Sequence, residues 1–224
     1  MNRPDPHCTY CGSCTDACPQ KALSIAGQET DVDTIMAQLR RDMLFFRYTN
    51  GGVTFSGGEP FSQIPFLRSL AEACYDRGIT MWAETCGYFS FNESRDILEK
   101  LDHVFMDLKH MDSGIHRQYT GVGNEHILEN AKNIYQLGIP LTFRIPAIPG
   151  VNLTEENILA TARFIKQNAP DAAIELLPYH ELGKAKYIAL GKADNFEAFN
   201  TPTAGELKIA HQIFQKFFRP DTIL

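Results

Sequence analysis

Five short apolar runs, each ending in a polar cluster and followed by a helical pattern, constrain this chain more than any other feature. The runs are GVTFS (52–56), ITMWAET (79–85), HVFMDLK (103–109), PLTFRIP (140–146) and AAIELLP (172–178). They recur at intervals of roughly 25–35 residues, which fits a strand plus its crossover helix and not a solenoid repeat. Between them the apolar period changes to that of a helix. Residues 31–47 place Val32, Ile35, Met36, Leu39 and Met43 on one face, with Asp31 or Asp33 as N-cap. Over 62–77, Ile64, Leu67, Leu70 and Cys74 fall in line, and Gly78 is the stop. Further helices are predicted near 92–101, over 124–137, from Thr154 onward and over 203–218. Strands alternating with helices mean right-handed βαβ units around a parallel sheet, an α/β fold. The runs are nearly continuous in apolar character, which predicts strands covered on both faces. Met36, Met43, Met81 and Met106 fall at core positions.

The polar residues gather at the ends of these runs. The clusters are Ser56-Gly57-Gly58-Glu59, Glu84-Thr85-Cys86-Gly87, Asp107-Leu108-Lys109, Arg144 and Tyr179-His180. C-terminal strand ends share one face in a parallel barrel, and in an open doubly wound sheet they line the ligand crevice. Either architecture therefore brings the five clusters to one site, and the spacing alone leaves the two open.

Four of the six cysteines crowd into residues 8–18. Cys8-x2-Cys11-x2-Cys14-x3-Cys18-Pro19 has the spacing of a bacterial ferredoxin run, in which thiolates at short intervals wrap a [4Fe–4S] cluster. Gly12 permits the tight turn. The competing reading is a tetrahedral zinc site, whose ligands more often come as two separated pairs. In two-cluster ferredoxins the fourth cysteine of such a run serves the other cluster, and only one run is present here. Cys74 lies in an apolar helical stripe and is a core residue; Cys86 is read as loop packing.

The composition narrows the rest. The chain has 224 residues, a net charge of −6 and 44% apolar residues, enough for one large core with a small appendage. There is no Lys/Arg-rich block, so neither nucleic acid nor a membrane surface is indicated as a partner. No apolar run approaches a membrane span, and MNRPDPHC lacks the apolar stretch of a secretory signal, so a cytoplasmic location is expected.

Taken one at a time, the strand-end residues have plain readings. Gly57-Gly58-Glu59 is a turn with a surface acid, or a place where backbone approaches a ligand and a carboxylate grips an ammonium. Glu84 and Asp107 are two solvated acids or a pair of hard oxygen donors for a cation. Lys109 pairs with Asp107 or with a ligand carboxylate. Arg144 sits in an apolar strand, where an unpaired guanidinium is costly, so it requires an anionic partner. His180 is structural or hydrogen-bonds a ligand.

Together these segments resemble the radical S-adenosylmethionine superfamily, and within it the glycyl-radical-enzyme activating enzymes. SGGEP resembles the motif that contacts the cofactor's amino group, with Gly57, Gly58 and Glu59 in its places. ETCG resembles the family's D-T-N-G, with Glu84 for Asp, Thr85 retained and Cys86 for Asn. MDLKHMDSGIHRQYTG, FRIPAIPG and ELLPYHELGKAKYIALG complete the match. The resemblance implies a partial parallel (β/α) barrel of about five strands over residues 31–224. It also implies a ferredoxin-type segment over 1–30 that holds an auxiliary [4Fe–4S] cluster through Cys8, Cys11, Cys14 and Cys18. It further implies that S-adenosylmethionine is bound by Gly57, Gly58, Glu59, Glu84, Thr85, Asp107, Leu108, Lys109, Arg144 and His180, with a monovalent cation near Glu84 and Asp107. The implied activity is reductive cleavage of S-adenosylmethionine to place a glycyl radical on a client enzyme, with a flavodoxin or ferredoxin as reductant. The family's C-x3-C-x2-C run does not occur in these residues: Cys14-x3-Cys18 is followed by Lys21 where the third cysteine belongs. The sequence therefore reads as starting inside the cluster insert, without the first strand and its loop, and as inactive alone. The competing reading is a non-catalytic electron-transfer subunit or a degenerate S-adenosylmethionine-binding subunit.

Overall fold

The computed structural model describes residues 9, 11–25, 27–189 and 196–224. Its centre is one sheet of five parallel strands: β1 (Gly52–Phe55), β2 (Thr80–Thr85), β3 (His103–Asp107), β4 (Leu141–Ala147) and β5 (Ala173–Pro178). Strand order follows chain order from β1 to β5, with no reversal. That order decides between the two architectures left open by the spacing. A doubly wound sheet reverses direction at a switch point. Here each right-handed crossover advances the same way, so the helices accumulate on one side and the sheet curves as the arc of a barrel.

The helices are α1 (Ser13–Asp16), α2 (Val32–Thr49), α3 (Ile64–Tyr75), α4 (Phe91–Leu98), α5 (Ser113–Thr120), α6 (Glu125–Gln136), α7 (Glu155–Asn168), α8 (Lys184–Ala189) and α9 (Ala204–Phe214). Side-chain caps mark several starts. Asp31 accepts the amide of Thr34, Thr154 that of Asn157, and Thr203 with Glu206 closes a capping box. Asp31, not Asp33, is therefore the N-cap of α2. The sequence pattern did not predict α1, α5 or α8, which are too short to show a clear period.

One expectation is corrected. The strands are not buried on both faces. Met81, Ala83, Val104, Met106, Phe143, Ile145 and Ile174 pack against the helices in the core. Most residues between them, on the concave face, are half-buried or exposed, and Trp82 is 41% exposed. Trp82 and Phe105 made the runs look continuously apolar; they lie on the concave face. The outer edge of β5 is met by the C-terminus, where Ile223 bridges Ile174 and the Leu224 amide donates to the Ile174 carbonyl at 2.8 Å. Among the described residues no strand pairs with the outer edge of β1.

Candidate functional site

The clusters at the ends of β1 and β2 are joined by Glu59. Its Oε1 accepts the Thr85 hydroxyl at 2.9 Å and the Phe61 amide at 3.2 Å, and its Oε2 accepts the Cys86 amide at 2.8 Å. Pro60 follows and starts a 3-10 turn, Pro60–Gln63, that Glu59 caps. Ahead of it Gly57 adopts φ +112°, and a Cβ added at Gly57 or Gly58 would meet nothing within 4 Å. The backbone there is bare and open to a ligand. At Gly87 the reason for glycine is different. Its φ is +76°, and a Cβ would stand 2.2 Å from the buried Met106 Cε. The loop after β2 is held further by Asn130, whose amide nitrogen donates to the carbonyls of Gly87 and Phe89 at 2.9 and 2.8 Å.

The partner that Arg144 requires is present twice. Its Nη1 donates to Glu84 Oε1 at 2.7 Å and its Nε to Glu175 Oε2 at 2.8 Å. The guanidinium lies 3.9 Å over the Phe105 ring. The Ser56 hydroxyl donates to the other oxygen of Glu84 at 2.6 Å. The Ser56 hydroxyl and then Arg144 hold the Glu84 carboxyl below its ordinary value. These contacts form a polar beam across the concave face from the end of β1 to β5. Behind it His103 Nε2 lies 2.9 Å from the Thr142 hydroxyl, and burial together with the positive charge of Arg144 pushes the His103 imidazolium toward its neutral form.

Of the two readings of Lys109, the pairing with Asp107 is seen: Nζ donates to Oδ2 at 2.8 Å. Leu108 is buried, and its amide donates to the Arg144 carbonyl. His180 lies just past β5, is exposed, and accepts the Leu182 amide at 3.3 Å; it makes no hydrogen bond to the other strand-end residues among those described. Sequence reasoning missed Glu175, although it carries the same signal as Arg144, a charge inside an apolar strand. It also missed Asn130, which carries no sequence signal at all.

Cys8 lies outside the described residues, as do Leu190 and Gly191 of the final motif. Among the described residues, Cys11, Cys14 and Cys18 are free thiols around α1, with Gly12 in the left-handed region at φ +81°. The Ser13 hydroxyl and amide lower the Cys11 thiol to about 7, and Cys18 Sγ accepts the Ala22 amide at 3.3 Å. Thiols that ionise readily and accept amide hydrogen bonds suit an iron–sulfur cluster. Among the described residues no group of three or more His, Cys, Asp or Glu side chains is close enough to hold a single metal ion. Cys74 is fully buried, and Cys86 is half-buried with its thiol pushed up by burial and then by Glu59.

The fold and the strand-end clusters define a class, a parallel barrel arc with its polar residues gathered at the C-terminal edge. Comparison with known proteins makes it particular. Residues 3–165 match the Radical SAM superfamily. The isethionate sulfite-lyase activating enzyme of Oleidesulfovibrio alaskensis is 40% identical over 188 residues, covering 83% of this chain and 60% of that protein. The trans-4-hydroxy-L-proline dehydratase activating enzyme of Clostridioides difficile is 34% identical, covering 94% of this chain and 80% of the relative. A solved domain of the pyruvate-formate lyase-activating enzyme of Bacteroides vulgatus aligns with TM-score 0.63 at 30% identity, over 75% of this chain and 94% of the domain. The chain belongs to the radical SAM superfamily, among the glycyl-radical-enzyme activating enzymes. It spans about 60% of the length of the isethionate sulfite-lyase activating enzymes it matches. Among the described residues no helix is long and apolar enough to cross a membrane.

Proposed function

We propose that these residues are the S-adenosylmethionine-binding arc of a glycyl-radical-enzyme activase, with an auxiliary cluster segment over 1–30 ahead of the barrel portion over 31–224. The observation that carries the reading is the closure of the β1 and β2 ends by Glu59, beside two glycines whose backbone is bare. The open backbone at Gly57 and Gly58 suits close approach of the ligand's amino acid moiety. Glu59 has three of its acceptor positions filled, which leaves one for an ammonium donor. Lys109 supplies a cation for a carboxylate and Asp107 a hard oxygen donor. Glu84 and Asp107 remain the acids proposed for a monovalent cation, each already paired with its own basic residue. His180 and Leu108 lie at the same edge, His180 through Nε2, which makes no hydrogen bond among the described residues, and Leu108 through its backbone.

A reduced [4Fe–4S] cluster supplies one-electron chemistry to S-adenosylmethionine in this family, and a flavodoxin or ferredoxin suits it as reductant. Cys8, Cys11, Cys14 and Cys18 are the proposed ligands of the auxiliary cluster. The client is proposed to be a glycyl-radical enzyme; the relatives are by name activating enzymes of a sulfite-lyase and a dehydratase. Because these 224 residues contain no C-x3-C-x2-C run, they are expected to bind S-adenosylmethionine and not to cleave it alone. The test is anaerobic reconstitution followed by iron and sulfide analysis, calorimetry with S-adenosylmethionine and assay for 5′-deoxyadenosine after dithionite. About four irons per chain, with binding and no cleavage, is the expected result. Absence of binding would remove the reading of the site. Cleavage by this chain alone would overturn its assignment as a non-cleaving arc.

A further inference from the structure

We propose that Glu175 is a positioning residue: it holds Arg144 on Glu84 and so keeps the guanidinium away from Asp107, leaving that carboxylate for the ligand. The inference rests on the reading of the strand ends as the S-adenosylmethionine site. It begins with register. Arg144 and Asp107 are direct partners across β3 and β4, and both lie on the concave face. Opposite charges at directly paired positions on neighbouring strands attract. An arginine fork on a carboxylate is a two-bonded clamp that a ligand does not easily displace. Without a competing acceptor, Arg144 would close over Asp107.

The structure shows another arrangement. Arg144 turns back along the sheet, with Nε on Glu175 at 2.8 Å, Nη1 on Glu84 at 2.7 Å and its plane over Phe105. Glu175 is its direct register partner on the other side, across β4 and β5. Arg144 thus stands between two carboxylates in register and takes Glu175. Its side chain is 21% exposed and that of Glu175 31%, so neither is a freely solvated surface charge. Asp107 is left to Lys109 at 2.8 Å. An ammonium on a flexible stem can be shared with an incoming ligand, whereas a guanidinium fork would cap the carboxylate. Glu175 takes no part in the strand-end clusters and acts only through Arg144.

The test has one arm that needs no ligand. In a crystal structure of Glu175→Leu, Arg144 is expected within hydrogen-bond distance of Asp107, with Lys109 released. Arg144 still on Glu84, with Lys109 still on Asp107, would overturn the proposal. The second arm is S-adenosylmethionine affinity by calorimetry in a double-mutant cycle. Glu175→Leu is expected to weaken binding about tenfold, and no more than about twofold when Asp107→Asn is already present. Glu175→Gln keeps an acceptor for Nε and is expected to lose about threefold, again only with Asp107 intact. Equal losses in both backgrounds would show a general structural effect and sink the idea. If the unsubstituted chain binds no S-adenosylmethionine, the site reading fails, and the position of Arg144 in the variant still judges Glu175.

Discussion

Glu84 shows how a single residue's role depends on what surrounds it. Its carboxyl is lowered from 4.5 by Ser56 and Arg144, so it favours the folded state above that pH and loses its contribution as pH falls through the lowered value. The stability difference between the unsubstituted chain and Glu84→Gln, read from urea midpoints, is expected to shrink as pH drops below 4.5. A difference that stays constant with pH would mean that Glu84 titrates as a free acid. Gly87 is a second case. Gly87→Ala forces a left-handed alanine against Met106 in a packed core and is expected to cost about 2–4 kcal/mol in chemical denaturation. Sequence alone signalled that Arg144 needed an anion, because a lone guanidinium in an apolar strand is costly. It did not say which, since Glu84 and Glu175 are 60 and 31 residues away in the chain.

At the scale of elements, periodicity located every strand and all the longer helices to within a few residues. The short α1, α5 and α8 escaped, because fewer than three turns carry little periodic signal. Capping is where local chemistry and observed ends agree best. Thr203→Ala removes the hydroxyl acceptor at the start of α9 and is expected to cost about 1 kcal/mol. The loop after β2 depends on a different kind of support. Asn130, on α6 and 1% exposed, satisfies two of that loop's carbonyls. Asn130→Ala strips the Gly87 carbonyl of this donor and leaves the Phe89 carbonyl to His126 Nε2 at 2.8 Å, and is expected to cost about 1–3 kcal/mol. Amide exchange in residues 86–90 is expected to quicken more than exchange in β4. Uniform acceleration across the sheet would show that the asparagine supports the whole fold and not this loop.

At the scale of the molecule, the sheet is covered on one side by helices and presents a polar beam with aromatic residues on the other. Trp82 is the chain's single tryptophan and stands on that open face at 41% exposure. Its fluorescence is expected to be quenched readily by acrylamide; protected, blue-shifted emission would show that the concave face is covered in solution. By itself, the sequence determined the βα alternation, the gathering of polar residues at strand ends and the cysteine run, since each is a matter of spacing along the chain. Only the tertiary structure decided the barrel arc over the doubly wound sheet, the single buried face, and the division of three carboxylates into two held by Arg144 and one held by Lys109. Strand order, burial and charge pairing all depend on which distant residues become neighbours, and distance along a chain does not encode that.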